Sequence, residues 1–182
     1  MRRATAIVGG ASALVAFIIA TPVSAQESPL RAVYAAVLRY HHSNSAQRRV
    51  TVAESTAVYS VPLIGPPGRI PAPLERIQRQ WARVPVELRD ALAMQSGSSR
   101  LLGQDEIPLE AMLMPPESID SLRGTWIAFR LGPVAFSARG DQALVYYQFG
   151  CGKRCGGDAV LWLTRAVDGA WAVEDRIGFI VF

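Results

Sequence analysis

The chain has 182 residues, half of them hydrophobic and 19% charged, so it is long enough to bury the core of one domain and too apolar for a disordered chain. Its 19 basic and 15 acidic side chains give a formal net charge of +4. A surplus this small and evenly spread does not indicate a nucleic-acid partner, since such domains concentrate Lys and Arg on one face.

The first 25 residues have the pattern of a secretory signal peptide. Two arginines precede an uncharged apolar run at residues 4–20, and the segment Val-Ser-Ala that follows Pro22 ends in a cleavage site of small residues. The run is short for a membrane-spanning helix, which needs about 20 apolar residues. We therefore predict cleavage after Ala25, a periplasmic or secreted location, and no transmembrane segment after processing. Residues 26–182 are expected to form a single α+β domain.

The N-terminal half predicts a helix, a strand and two short helices. Pro29 suits the first helical position, and apolar residues at helical spacing continue to about Tyr40. The Val- and Thr-rich segment 48–61 predicts one or two short strands. Prolines then indicate an extended loop, which is followed by a short helix from Pro73 and another over residues 85–97.

The C-terminal third predicts four consecutive antiparallel strands. Its apolar runs are separated by RGD (139–141), GCGKRCGG (150–157) and VDG (167–169), and each separator is a hairpin signal. We expect an antiparallel sheet of about five strands, with one apolar face packed against the N-terminal helix and the helical pair. This arrangement is analogous to the cystatin-like and NTF2-like classes.

The two cysteines, Cys151 and Cys155, lie within one of these hairpin signals. If residues 152–154 form a three-residue loop, the cysteines face each other about 5 Å apart at the end of the apolar row, within reach of a disulfide. A redox pair more usually has C-x-x-C spacing at a helix N-terminus. A zinc site needs about four ligands, and only His41 and His42 remain to supply imidazoles. We predict a structural disulfide, with redox and metal roles as the alternatives, and no cofactor.

Three further residues are candidates for binding. Tyr146 and Trp162 lie on the second, mixed face of the sheet, where an aromatic patch is either covered by a helix or open to a partner. We expect at least one of them to be partly exposed and to contact a ligand or partner. Asp175 falls in the apolar row, facing Leu161. It is either a site carboxylate, or a side chain that a bulge at residues 174–176 turns outward or that pairs with an arginine.

Signals for catalysis are weak. His41 and His42 are adjacent, so on a helix they point about 100° apart and cannot easily bind one ion. Their place near a helix C-terminus, where a cation is mildly favoured, indicates a capping or surface role. The sequence contains no G-x-S-x-G, H-E-x-x-H or phosphate-loop motif. The RGD tripeptide is typical of a turn, because all three residues suit turns.

Several short motifs follow one another along the chain. F-S, A-L-V-Y, C-G-x-x-C-G and G-x-W-x-V appear in order after Gly132, and a "VYAAVL" helix and a "W…VP" pair at Trp81 and Pro85 precede them. Together they resemble an uncharacterised family of small exported bacterial proteins. The resemblance implies an exported, disulfide-bearing α+β protein and supplies no reaction.

These features favour a non-catalytic binding or interaction module of the bacterial cell envelope. Its partner would be a cell-envelope protein or a small-molecule ligand. The alternative is a cell-envelope hydrolase that uses Asp175 together with His41 or His42.

The predicted disulfide has a direct test. We expect thiol titration of the unfolded, unreduced protein from its native compartment to find no free thiol. Replacing both Cys151 and Cys155 by Ala should cost about 2 kcal/mol of stability, because so short a loop restricts the unfolded chain little. Two free thiols in that material would contradict the prediction and favour a redox or metal role.

Overall fold

The structure is a computed structural model that describes residues 28–42, 50–58, 72–95, 97–108, 110–115, 118, 127–150 and 156–181. The signal segment, Cys151 and Cys155 lie outside these residues. The described helices are α1 (Pro29–His42), α2 (Ala72–Arg83) and α3 (Val86–Met94). The described strands are β1 (Val50–Ala53), β2 (Ala111–Met114), β3 (Ile127–Phe136), β4 (Gln142–Gly150), β5 (Gly156–Arg165) and β6 (Trp171–Val181).

The strands form one mixed sheet in the order β2-β1-β3-β4-β5-β6. Strands β3 to β6 form the predicted antiparallel meander, and the α+β class is confirmed. Strand β1 runs parallel to both of its neighbours, β2 and β3. The predicted antiparallel sheet of about five strands therefore holds for the meander but not for β1 and β2, which are joined to it in parallel. The sequence pattern around residues 111–114 did not reveal β2.

Helices cover both faces of the sheet. One face packs against α1 through a cluster that includes Val33, Tyr34, Val37, Phe129, Leu131, Val145, Tyr147 and Leu161. The other face packs against α2 and α3 through Ile77, Trp81, Leu88, Leu92, Leu144, Tyr146, Val160 and Ile177. The prediction that all helices lie on one face was wrong. The physical reason is visible in β4, where five consecutive residues from Ala143 to Tyr147 are buried, as is typical of a strand covered on both sides.

The register between β4 and β5 is the predicted one. Pairing runs without a shift from Gln142 opposite Thr164 to Gly150 opposite Gly156. Tyr146 and Trp162 therefore lie on one face, and their neighbours along each strand lie on the other. The same register, continued by one residue, is the basis for expecting Cys151 opposite Cys155, which stays a prediction.

Strand β6 changes register at Glu174. Leu163 faces Val173, but Trp162, the preceding residue of β5, faces Asp175. Glu174 is the extra residue of a β-bulge, and such an insertion moves the following side chains, up to a second register shift after Gly178, to the opposite face. The predicted pairing of Asp175 with Leu161 was wrong, whereas the bulge considered for residues 174–176 is confirmed.

The bulge also determines where the next two residues lie. Arg176 takes the position opposite Leu161, on the face that α1 covers. Ile177 joins the buried cluster under α2 and α3, although alternation from Asp175 without a bulge would place it in the same row as Leu161. One inserted residue therefore puts a cation where the sequence predicted a carboxylate.

A second bulge interrupts β3 between Leu131 and Val134. Gly132 lies inside it, and a Cβ atom there would be 2.7 Å from the carbonyl oxygen of Tyr146 and 2.8 Å from its Cδ1. The backbones therefore approach too closely for any side chain. The Tyr34 hydroxyl donates a hydrogen bond of 2.9 Å to the Gly132 carbonyl, so α1 satisfies a polar group at a point where the ladder is interrupted.

The RGD segment forms the β3–β4 turn, as predicted. Gly140 has a φ of +68°, and the Ser137 hydroxyl lies 2.8 Å from the Asp141 carboxylate, to which it donates a hydrogen bond. Arg139 forms an ion pair with the same carboxylate at 3.1 Å. Both charged side chains of the RGD segment therefore have partners within the turn.

The close approach at Gly132 predicts a specific stability effect. Gly132→Ala should lower the free energy of unfolding by about 1–3 kcal/mol, because either β4 or the bulge must shift to admit the methyl group. Gly178→Ala in β6 is the matched control, since a Cβ atom there meets nothing within 4 Å. Chemical denaturation of both variants measures the difference. Equal stability of the two variants would contradict the close approach.

Candidate functional site

Tyr146 is buried beneath the helical pair. Its side chain is 2% exposed and packs in the cluster that contains Leu88 and Leu92. The hydroxyl donates to Asp158 Oδ2 at 3.0 Å and accepts from Gln148 Nε2 at 3.1 Å. This face of the sheet is covered by the helical pair, and a binding role for Tyr146 stays a prediction.

Trp162 lies at the margin of the same cluster and is partly exposed. Its indole N–H donates to Gln142 Oε1 at 3.3 Å. The expectation that at least one of the two aromatic residues is partly exposed is met by Trp162 alone. A role for Trp162 in binding stays a prediction.

Asp175 connects β6 to α2. Its Oδ2 accepts from Arg83 at 3.3 Å, and its Oδ1 accepts from Gln80 at 3.1 Å and from the Arg176 backbone N–H at 2.8 Å. The sequence analysis offered a bulge or a pairing with an arginine as the alternative to a site carboxylate, and both are present. The Arg83 side chain of this pair is largely exposed, and such contacts contribute little stability. A role for Asp175 as a site carboxylate stays a prediction.

His41 lies on the opposite side of the sheet. Its ring centroid is 5.0 Å from that of Tyr147, 5.1 Å from Phe129, 5.3 Å from Tyr40 and 5.4 Å from Phe149. Burial among these rings, reinforced by the positive charge of Arg176 nearby, lowers the pKa of His41 from 6.5 to about 4. The imidazole is therefore neutral at neutral pH, and the surface or capping role expected of a cation does not apply to it.

The structure does not bring Asp175 and His41 together. Asp175 faces Trp162 and α2, whereas His41 contacts Tyr147 under α1. The sheet lies between the two side chains. A hydrolase that pairs this carboxylate with His41 therefore has no geometric basis, and the side chain of His42 lies outside the described residues.

A cleft of about 500 Å³ opens where the β3 bulge meets α1 and the segment after α3. Four parts of the chain that are distant in sequence form its walls. The lining residues are Leu30, Tyr34, Thr56, Met94, Gln95, Ser98, Arg100, Gly132, Pro133, Val134 and Phe136.

The charged and polar groups of this cleft are paired with one another. Arg100 donates to both carboxylate oxygens of Glu106, at 2.7 and 2.6 Å, and these bonds hold the pKa of Glu106 below its ordinary value. The Arg100 backbone N–H donates to Thr56 Oγ1 at 2.9 Å. Burial raises the pKa of Tyr34 to about 12, so the phenol stays neutral. Glu106 lies outside the lining but neutralises Arg100, so that the two together leave the cleft without a net charge.

The rest of its lining combines the exposed polar residues Gln95 and Ser98 with apolar side chains. Met94 is 82% exposed, and Pro133 and Phe136 are partly exposed. A flexible thioether at the entrance adapts to ligands of different shapes. The sequence reasoning missed this cleft, although the Gly132-Pro133 dipeptide inside an apolar run was a signal for the bulge that opens it.

Comparison with known proteins adds no function. No family model, no curated protein and no solved structure matches the chain. The resemblance to the uncharacterised exported family and the cystatin-like or NTF2-like analogy therefore stay predictions. Within the described part of the chain, no helix combines the length and the apolar composition needed to cross a membrane.

The environment of His41 predicts a pH effect on stability. Its folded pKa of about 4 lies below the ordinary 6.5, so between these values the unfolded state binds more protons than the folded state. The free energy of unfolding should therefore be highest above pH 6.5 and decrease as the pH falls towards 4. Denaturation curves at several pH values measure this slope.

His41→Phe should flatten that slope between about pH 5 and 6.5, because the variant ring fits the aromatic surroundings and does not titrate. His42→Gln removes the other imidazole and serves as the control. A slope that His41→Phe leaves unchanged would contradict the buried, neutral state of His41.

Proposed function

We propose that this protein is an exported binding module that holds a small, largely apolar and uncharged ligand in the cleft beside the β3 bulge. The observation that carries the proposal is the cleft itself, whose volume of about 500 Å³ lies in the range of small-molecule sites. Its walls combine exposed apolar side chains with a few fixed polar groups, which is the usual composition of such sites.

The charge distribution supports an uncharged ligand. Arg100 is the cation of the lining, and its guanidinium is already bound at both ends of the Glu106 carboxylate. An anionic ligand would have to displace this bidentate pair, which is among the stronger hydrogen-bonded arrangements in proteins. A cationic ligand would have to compete with Arg100 for the Glu106 carboxylate. An apolar body with at most a weak hydrogen-bonding group fits without disturbing either residue.

The lining also supports binding in preference to catalysis. Ser98 carries the nucleophile type most often used by hydrolases, but its hydroxyl donates to the Gln95 backbone carbonyl at 3.5 Å. Activation of a serine needs an adjacent general base. The residues named as lining the cleft include no imidazole and no carboxylate, so they offer Ser98 no such base.

Export is the second part of the proposal and is supported by the sequence. The apolar run at residues 4–20 and the small residues before Gln26 have the order of a signal peptide. Two cysteines that are predicted to face each other across a hairpin turn suit the oxidising compartment that such a signal leads to.

The binding proposal predicts saturable uptake of an uncharged apolar probe. N-phenyl-1-naphthylamine should show a fluorescence increase that saturates with the wild-type protein. Ser98→Trp places an indole at the entrance, so it should weaken binding at least about tenfold, equivalent to about 1.4 kcal/mol. Val167→Trp is the matched control, because Val167 is fully exposed on the β5–β6 turn and its variant should bind like the wild type.

Two outcomes would contradict the proposal. Equal weakening by both tryptophan variants would place the probe elsewhere, and tighter binding of the anionic anilinonaphthalene sulfonate would contradict an uncharged site. Intact-mass measurement of the exported protein tests the other half separately. We expect a chain that begins at Gln26, and retention of residues 1–25 in a membrane fraction would contradict export.

A further inference from the structure

Arg176 occupies an unusual position for a cation. The bulge at Glu174 turns it onto the α1 face of the sheet, opposite Leu161, where it is partly buried. Its Nε donates to the Tyr147 hydroxyl at 3.2 Å, and its guanidinium carbon lies 5.6 Å from the centroid of the Phe149 ring. The phenol and the ring together fix the orientation of the guanidinium plane.

Among the described residues, this cation has no counter-ion. Arg79, Arg83, Arg100 and Arg139 each lie within 4 Å of a carboxylate, whereas no ion pair to a described residue is found for Arg176. Its hydrogen bond to Tyr147 uses Nε only. Both terminal nitrogens are therefore available, and they are the groups that bind carboxylates bidentately. A partly buried charge without a partner has a desolvation cost that a bound anion would offset.

His41 adds a second available group beside it. Its Nε2 is buried and has no hydrogen-bond partner among the described residues. The imidazole lies against Tyr147 and Phe149, the same two rings that contact Arg176. Buried polar atoms normally have partners, so an unsatisfied one beside an unpaired cation points to a ligand.

We propose that Arg176, the Tyr147 hydroxyl and His41 form a binding site for a small aromatic carboxylate. The guanidinium would bind the carboxylate through its terminal nitrogens, and His41 would supply a further hydrogen bond. The ring of Phe149, which is partly exposed beside Arg176, would contact the ligand ring, whereas Tyr147 and Phe129 are buried and pack against His41. This site is separate from the cleft, because His41 lies seven residues beyond Tyr34 along α1, which corresponds to about 10 Å.

Binding at this site is coupled to protonation of His41. The titratable and charged groups facing His41 are Arg176 from β6, Tyr147 from β4 and Tyr40 from its own helix. In the free protein, burial and the charge of Arg176 disfavour the imidazolium. A bound carboxylate offsets the charge of Arg176 and favours the imidazolium, so the ligand should raise the pKa of His41. By linkage, it should bind more tightly as the pH falls below neutral.

The test uses the wild-type protein with benzoate as the probe and benzamide as its uncharged counterpart. The chain has two histidines, so the ring C–H signal of His41 can be assigned by NMR with a single His41→Phe variant. Benzoate should shift this signal with saturation, raise the His41 pKa, and bind at least about tenfold more tightly than benzamide, equivalent to about 1.4 kcal/mol. Acetate, which has the charge without the ring, should also bind more weakly than benzoate.

Arg176→Gln should lower the affinity for benzoate at least about tenfold, whereas Arg83→Gln should not change it. Arg83 is the matched control, because it pairs with Asp175 on the other face. Equal binding of benzoate and benzamide, an unchanged His41 signal, or equal effects of the two substitutions would overturn the proposal. The comparison of ligands on the wild-type protein decides the question even if Arg176→Gln does not fold.

Discussion

Strand β4 has no side that faces water, and this two-sided burial is the constraint on which the other features depend. Five consecutive residues from Ala143 to Tyr147 are buried, between α1 on one face and α3 on the other. A polar group brought into either layer needs a partner, because an unsatisfied buried group costs about 1–3 kcal/mol. Tyr146 meets this requirement through Asp158 and Gln148.

Regular pairing in such a sheet leaves little room for a ligand, and both proposed sites lie where the pairing is interrupted. The β3 bulge at Gly132 opens the cleft, and the β6 bulge at Glu174 turns Arg176 towards α1. Bulges redirect side chains and end ladder bonds without changing the rest of a sheet. The two sites differ in charge for a local reason: Arg100 has Glu106 as its partner, whereas Arg176 has an uncharged phenol.

The sequence predicted those parts of the fold that depend on local patterns. Alternating apolar residues and glycine-containing turns predicted the meander. They also predicted the full β4–β5 register, because a shift of one residue would move every side chain of a strand to the other face. Strand β2 has only four residues, which is too few for a pattern. The continuous apolar run of β4 indicated burial on both faces, but the placement of all helices on one face did not take it into account.

The candidate sites were less predictable, because they depend on single residues and on distant contacts. An insertion at Glu174 leaves the composition of β6 unchanged, so the alternation assigned Asp175 to the position that Arg176 occupies. The exposure of Tyr146 was predicted from the pattern of its own strand, whereas the residues that cover its side chain belong to α3. The cleft combines four separate segments, and no window of sequence contains them together. Errors of this kind are expected where tertiary contacts decide which face of a strand is exposed.

Helix α1 connects the two irregular regions. Tyr34 donates to the Gly132 carbonyl in the β3 bulge, and His41, two turns further along, lies against Tyr147, the residue that orients Arg176. Positions i and i+7 share one face of a helix, so both contacts come from the buried stripe of α1. A shift of this helix would alter both contacts at once, because its apolar residues pack as one layer on the sheet. The geometry that opens a neutral cleft at one end of α1 therefore also sets the surroundings of the unpaired arginine at the other end.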